Sequence, residues 1–175
     1  KPAGFRVIFV YLMEAIVNSL LVGVTIGLAL IITVIGFFFR SASFGFLSSF
    51  PNILPIVSAF GIWAIIDGQI DFMVAVGMGS TLGIIVDFTV HLLSKYDLAR
   101  QELKKSPEDA VLFAFEAVGF ALIAMTIILA LGFSVLHLVS FLPMHNFAQF
   151  SILAFIFALI IDFFLFPNLL VRFDK

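Results

Sequence analysis

The sequence predicts an all-α, polytopic membrane protein, a single domain of five transmembrane helices with its N-terminus outside and its C-terminus in the cytoplasm. Three observations predict it. Of 175 residues, 63% are hydrophobic and 11% charged, against roughly 45–50% and 25% in soluble domains. Mean hydropathy is +1.25. The charges gather between apolar runs long enough to cross about 30 Å of hydrocarbon at 1.5 Å per helical residue. This composition excludes a water-soluble enzyme and a disordered tail. A net charge of −2 without a long basic stretch argues against nucleic-acid binding. With no cysteine, disulfides, thiolate zinc sites and iron–sulfur clusters are excluded.

The start, Lys1-Pro2-Ala3-Gly4-Phe5-Arg6, precedes an apolar run too long for a signal-peptide core, and no small-residue cleavage site ends it. Lacking an initiator Met, the chain reads as beginning partway through a longer polypeptide. Helix one is expected over residues 15–39, uncharged, stopping at Arg40. Residues 41–50 read as an interfacial turn or short helix. Pro51 then opens helix two (51–66), at a first-turn position where its missing N–H costs little. That helix stops at Asp67-Gly68-Gln69, and helix three covers 72–93. The polar connector 94–106 holds four of the nine basic residues and suits either a solvated linker or an amphipathic helix on the inner surface. Ser106-Pro107-Glu108-Asp109 is a helix start, with Ser as N-cap, Pro at the first position and an acid at the third. It begins helix four (107–135). A turn over 136–146 leads to helix five (147–166), which Pro167 ends.

Basic residues set the orientation. Arg40, Lys95, Arg100, Lys104, Lys105, Arg172 and Lys175 fall on one side, Lys1 and Arg6 on the other. Seven against two puts the N-terminus outside, because cytoplasmic loops carry the excess of Lys and Arg.

Charged residues inside spans are costly and usually face a bundle interior or a water-filled path. Asp87 lies about 22 Å into helix three. Gly83 stands four residues before it and His91 four after, so the three share a face. Gly79, Ser80 and Gly83 would let another helix approach closely. A carboxylate there can take up and release a proton, and His91 can pass protons to it. Glu116, in helix four, would reach about the same depth if helices three and four pair antiparallel; snorkelling to water or Lys104 is the competing reading. Asp162, near the inner boundary, suits snorkelling or a bond to Arg172. Gly77-Met78-Gly79-Ser80-Thr81-Leu82-Gly83 misses the phosphate-loop spacing and lies inside a span. His137 and His145 are too few for a metal site. No metal ligand set and no catalytic residues are expected, so the chain does not read as an enzyme.

With these residues placed, the chain resembles the resistance–nodulation–division (RND) superfamily. Gly83-Ile84-Ile85-Val86-Asp87-Phe88-Thr89-Val90-His91 is similar to its G-x-x-x-D-[YF] stretch, with the His common in the exporter branch. Phe39-Arg40-Ser41 before Phe50-Pro51-Asn52-Ile53-Leu54-Pro55-Ile56 is similar to the "FRS … PNLLPI" passage, and Asp162-Phe163-Phe164-Leu165-Phe166-Pro167-Asn168-Leu169-Leu170 to the last helix. The similarity covers nearly the whole chain and lies closest to MmpL and hopanoid-exporter-like proteins, relatives of Patched and the sterol-sensing domain.

The resemblance implies the last five helices of one six-helix half, the C-terminal half being suggested by the ending Arg172-Phe173-Asp174-Lys175. It further implies proton-driven export of lipids or other hydrophobic molecules, with Asp87 carrying the proton and no cofactor beyond the proton gradient. The implied partners are membrane lipids, a hydrophobic substrate and the remainder of a longer chain or second half, in a cell membrane such as the bacterial inner membrane. Phe88 replaces the Tyr of the pattern, so a phenolic role there is lost. The alternative is a non-transporting lipid- or sterol-sensing module or assembly subunit. The related protein-translocation motor ranks last, because no arginine-rich stretch follows helix three.

Overall fold

In the computed structural model, which describes residues 4–66 and 70–174, the order is α1 (Phe5–Phe38), α2 (Ala42–Ile66), α3 (Phe72–Gln101), α4 (Pro107–Ser134), a 3-10 turn (Val135–Leu138), α5 (Leu142–Phe164) and α6 (Phe166–Phe173). No strand occurs among the described residues. Among the described residues, five helical segments are long and apolar enough to cross a membrane: Val10–Phe38, Ala42–Ile66, Phe72–Gln101, Pro107–Leu138 and Leu142–Phe173. The chain is a polytopic membrane protein.

Several boundaries differ from the sequence expectation, each for a local reason. Helix α1 begins at Phe5 rather than residue 15, because no Gly or Pro interrupts residues 5–22. Its 34 residues span about 51 Å, more than the hydrocarbon alone. Arg40 ends it with φ 50°, while Ser41 N–H donates back to Gly36 O (3.0 Å), closing the helix in a left-handed turn.

Pro51 does not open helix two. That helix starts at Ala42 and runs through both Pro51 and Pro55. Its polar side chains bond back to its own carbonyls beside the first proline: Ser48 Oγ to Gly45 O (2.7 Å) and Asn52 Nδ2 to Ser48 O (2.6 Å). Both prolines are buried against neighbouring helices, a setting in which membrane helices tolerate them. The expected stop at Asp67-Gly68-Gln69 lies outside the described residues.

Helix α3 does not end at residue 93. Eight residues assigned to the connector continue it, because Tyr96 and Ala99 are fully buried against the inner core. They lie in the body of the bundle, not on an amphipathic surface helix. The connector shrinks to residues 102–106, and Ser106 caps α4 by accepting from Asp109 N–H (3.2 Å). Helix α5 begins at Leu142, five residues early, with Pro143 in its first turn. Pro167 starts α6 rather than an exit, since a first-turn proline leaves no intrahelical bond unmade.

Helix α3 is the centre of the bundle, packed against α1, α2, α4 and α5. Two apolar clusters stack along it. Trp63, Val74, Met78, Ile85, Phe88, Phe150 and Phe155 belong to the first. Ile35, Phe39, Leu47, Leu92, Tyr96, Phe166 and Leu170 belong to the second. Beyond the second, Asp174 accepts hydrogen bonds from Tyr96 Oη (2.6 Å) and Arg100 Nε (2.7 Å), tying the chain's end to α3. Arg100 Nη1 also donates to Lys105 O (2.7 Å). The pair is partly exposed, so solvent screens it. Asp174→Asn is expected to cost about 1 kcal/mol, read as a lowered midpoint in denaturant titration; an unchanged midpoint would mean that water replaces both bonds.

Candidate functional site

Helix α3 has two faces of opposite character. Ile85, Phe88, Thr89, Leu92 and Leu93 are wholly or almost wholly buried. Ser80, Gly83, Asp87, His91 and Ser94 are exposed. At about 100° per residue these five fall within an arc of about 80°, so they form one stripe about 21 Å long. Ser80 Oγ donates to Val76 O (2.8 Å) within its own helix. Among the described residues, neither Asp87 nor His91 has a hydrogen-bond or salt-bridge partner.

The two glycines differ in surroundings. A Cβ on Gly79 would meet Val24 Cγ2 of α1 at 3.6 Å, whereas one on Gly83 would meet nothing within 4 Å. Gly79 therefore borders α1, and Gly83 lies in open space beside Asp87. Glu116 is exposed on α4 and, among the described residues, makes no hydrogen bond or ion pair with Asp87. Leu92 of α3 and Phe115 of α4 line the same small cavity, which puts Glu116 about one turn nearer the inner end than Asp87.

A second group of polar residues lies on the buried side of α3. Asp162 neither snorkels nor bonds to Arg172: it is 0% exposed, and Arg172 is exposed on α6. The expectation erred because α6 continues the chain two turns past Pro167 and closes the bundle beneath Asp162. Thr89 Oγ1 lies 3.2 Å from Asn52 Oδ1 and 3.5 Å from Asp162 Oδ1. Each of the three is visible in the sequence as a polar residue in an apolar helix. Their convergence from α2, α3 and α5 is set by packing, which no local pattern encodes.

His137 and His145 stack with ring centroids 5.3 Å apart, and each has a ring nitrogen at hydrogen-bond distance from a backbone carbonyl, Ser134 O and Val139 O. Among the described residues no three His, Asp or Glu side chains are grouped to hold a metal.

No family profile matches the chain. Among curated proteins, it is similar to one from Methanocaldococcus jannaschii whose provisional name says only that it is a membrane protein, 29% identical over 149 residues. The match covers 84% of this chain and 38% of the relative, so the chain spans about two fifths of that protein's length.

Proposed function

We propose that this chain is the transmembrane half of an RND-type exporter, driven by the proton-motive force and moving lipids or other hydrophobic molecules, with Asp87 as intramembrane proton carrier. The observation that carries this reading is the exposed stripe on α3. An ionisable residue facing hydrocarbon costs several kcal/mol, and Asp87 has no partner among the described residues. Small residues on the same face, Ser80 and Gly83, leave room for a second helical surface to close over it. That surface belongs to the other half of a longer chain or to a second subunit. His91, one turn nearer the cytoplasmic end, hands protons to and from Asp87. In this reading the N-terminus is outside, in the cell membrane.

The test is proton movement by the whole protein in vesicles loaded with a pH-sensitive dye. Adding a lipid or hydrophobic substrate should produce proton flux, and collapsing the gradient should stop export. Export that continues undiminished without a gradient would contradict the reading.

A groove supports the alternative, a lipid-sensing module. Where α1 ends and α2 begins, Ile32, Gly36, Phe37, Phe46 and the cationic Arg40 line a groove of about 860 Å³, apolar for a chain and charged for a headgroup. That reading predicts saturable lipid binding unaffected by Asp87→Asn.

A further inference from the structure

Between the two apolar clusters lies one buried polar layer, contributed by Ser48 and Asn52 of α2, Thr89 of α3 and Asp162 of α5, all 0% exposed. Its donors and acceptors do not balance. Asn52 Nδ2 donates to Ser48 O at 2.6 Å, which fixes the amide orientation and turns Asn52 Oδ1 toward Thr89. Thr89 has one hydroxyl proton and three acceptors in reach: Asn52 Oδ1 (3.2 Å), Asp162 Oδ1 (3.5 Å) and Ile85 O (3.5 Å). Asp162 Oδ2 is buried and has no partner. An ionised carboxylate here would add acceptors where the one donor facing it is the Thr89 hydroxyl.

We propose that Asp162 is a proton-binding site of its own, occupied in the folded protein, whose proton closes a one-way hydrogen-bond chain from Asp162 through Thr89 and Asn52 to Ser48. The proton sits on Oδ1, facing Thr89 Oγ1. Asp162 then donates to Thr89, Thr89 donates to Asn52 Oδ1, and Asn52 donates to Ser48 O. One added proton satisfies each link and joins α5, α3 and α2. When it leaves, the Thr89 hydroxyl turns to the carboxylate and Asn52 Oδ1 loses its donor. Charged groups on the packed elements do not supply the missing donor. Helix α2 carries none over Ala42–Ile66. Asp87, His91 and Glu116 are exposed on α3 and α4, and Arg172 is exposed on α6. Lys95 lies two turns from Asp87, and Arg100 pairs with Asp174. Among the described residues Asp162 is in no ion pair. The site lies across α3 from Asp87, two residues along from it at Thr89, and does not depend on the transport reading.

Infrared difference spectroscopy of the whole protein in lipid vesicles tests this, with aspartate carboxyl carbons isotopically labelled. At neutral pH the wild type should show a carboxylic-acid C=O band that shifts with the label and in D2O. The band should vanish in Asp162→Asn, persist in Asp87→Asn, and move to higher frequency in Thr89→Val, where it loses its acceptor. If Asp162→Asn does not insert, Asp162→Glu should remove the label-sensitive band and leave an unlabelled one. A wild type without such a band overturns the proposal, as does a band that shifts in Thr89→Val yet survives replacement of Asp162.

Discussion

Asp87→Asn is expected to reduce substrate-coupled proton flux to the level of empty vesicles while leaving the protein folded and inserted. The two halves of that expectation rest on different facts. Asn has the size of Asp but carries no exchangeable charge, so it cannot shuttle a proton. The side chain is exposed and, among the described residues, unpartnered, so removing its charge breaks no contact within the chain. The variant should therefore be at least as stable as wild type, because the charge it loses is unpaired and costly in hydrocarbon. His91→Gln should slow the flux without abolishing it, because His91 only feeds the carrier. Full flux in Asp87→Asn would remove Asp87 from the mechanism, and an unfolded variant would show that the carboxylate is structural.

Gly45→Val is expected to destabilise the fold by prying apart a helix crossing that only glycine fits. Helices α1 and α2 cross at Gly36 and Gly45, and a Cβ on Gly45 would lie 2.8 Å from Ile32 O and 2.9 Å from Gly36 Cα. Both obstacles are backbone, so α1 itself must move. Overpacking of this kind typically costs 1–3 kcal/mol; with a branched side chain against main chain, about 3 kcal/mol is expected. The crossing is asymmetric, which supplies the control. A Cβ on Gly36 would meet only ordinary contacts from 3.6 Å, so Gly36→Ala should be near neutral. Denaturant titration of both variants would decide it, and equal midpoints would refute the close crossing.

The architecture was legible because charges punctuate the chain and each apolar run is long. The start of α4 was legible to the residue, since Ser106 and Pro107 carry their meaning locally. Helix α2 was not, because proline weighs against a helix interior in water, while in this bundle Pro51 and Pro55 are buried among neighbouring helices. The inner end of α3 was missed for a related reason. Polar residues between 94 and 101 resemble a loop until Tyr96 and Ala99 are seen buried against Phe166 and Leu170. On the site, spacing alone placed Gly83, Asp87 and His91 on one face. It could not tell that this face is open, nor that Asp162 is enclosed, because both depend on which helices neighbour α3.

The most direct test of the central claim asks what covers the Asp87 stripe in the whole protein. These 175 residues include no cysteine, so once any cysteine elsewhere in the whole protein is replaced, Gly83→Cys and Phe120→Cys can each be probed alone with a thiol reagent dissolved in the lipid phase. Phe120, 84% exposed on α4, serves as the lipid-facing reference. The account predicts that Phe120→Cys reacts readily and Gly83→Cys is protected, because a second transmembrane surface closes over the stripe. Equal reactivity at the two positions would mean that Asp87 faces lipid, and the proton-carrier reading would fail.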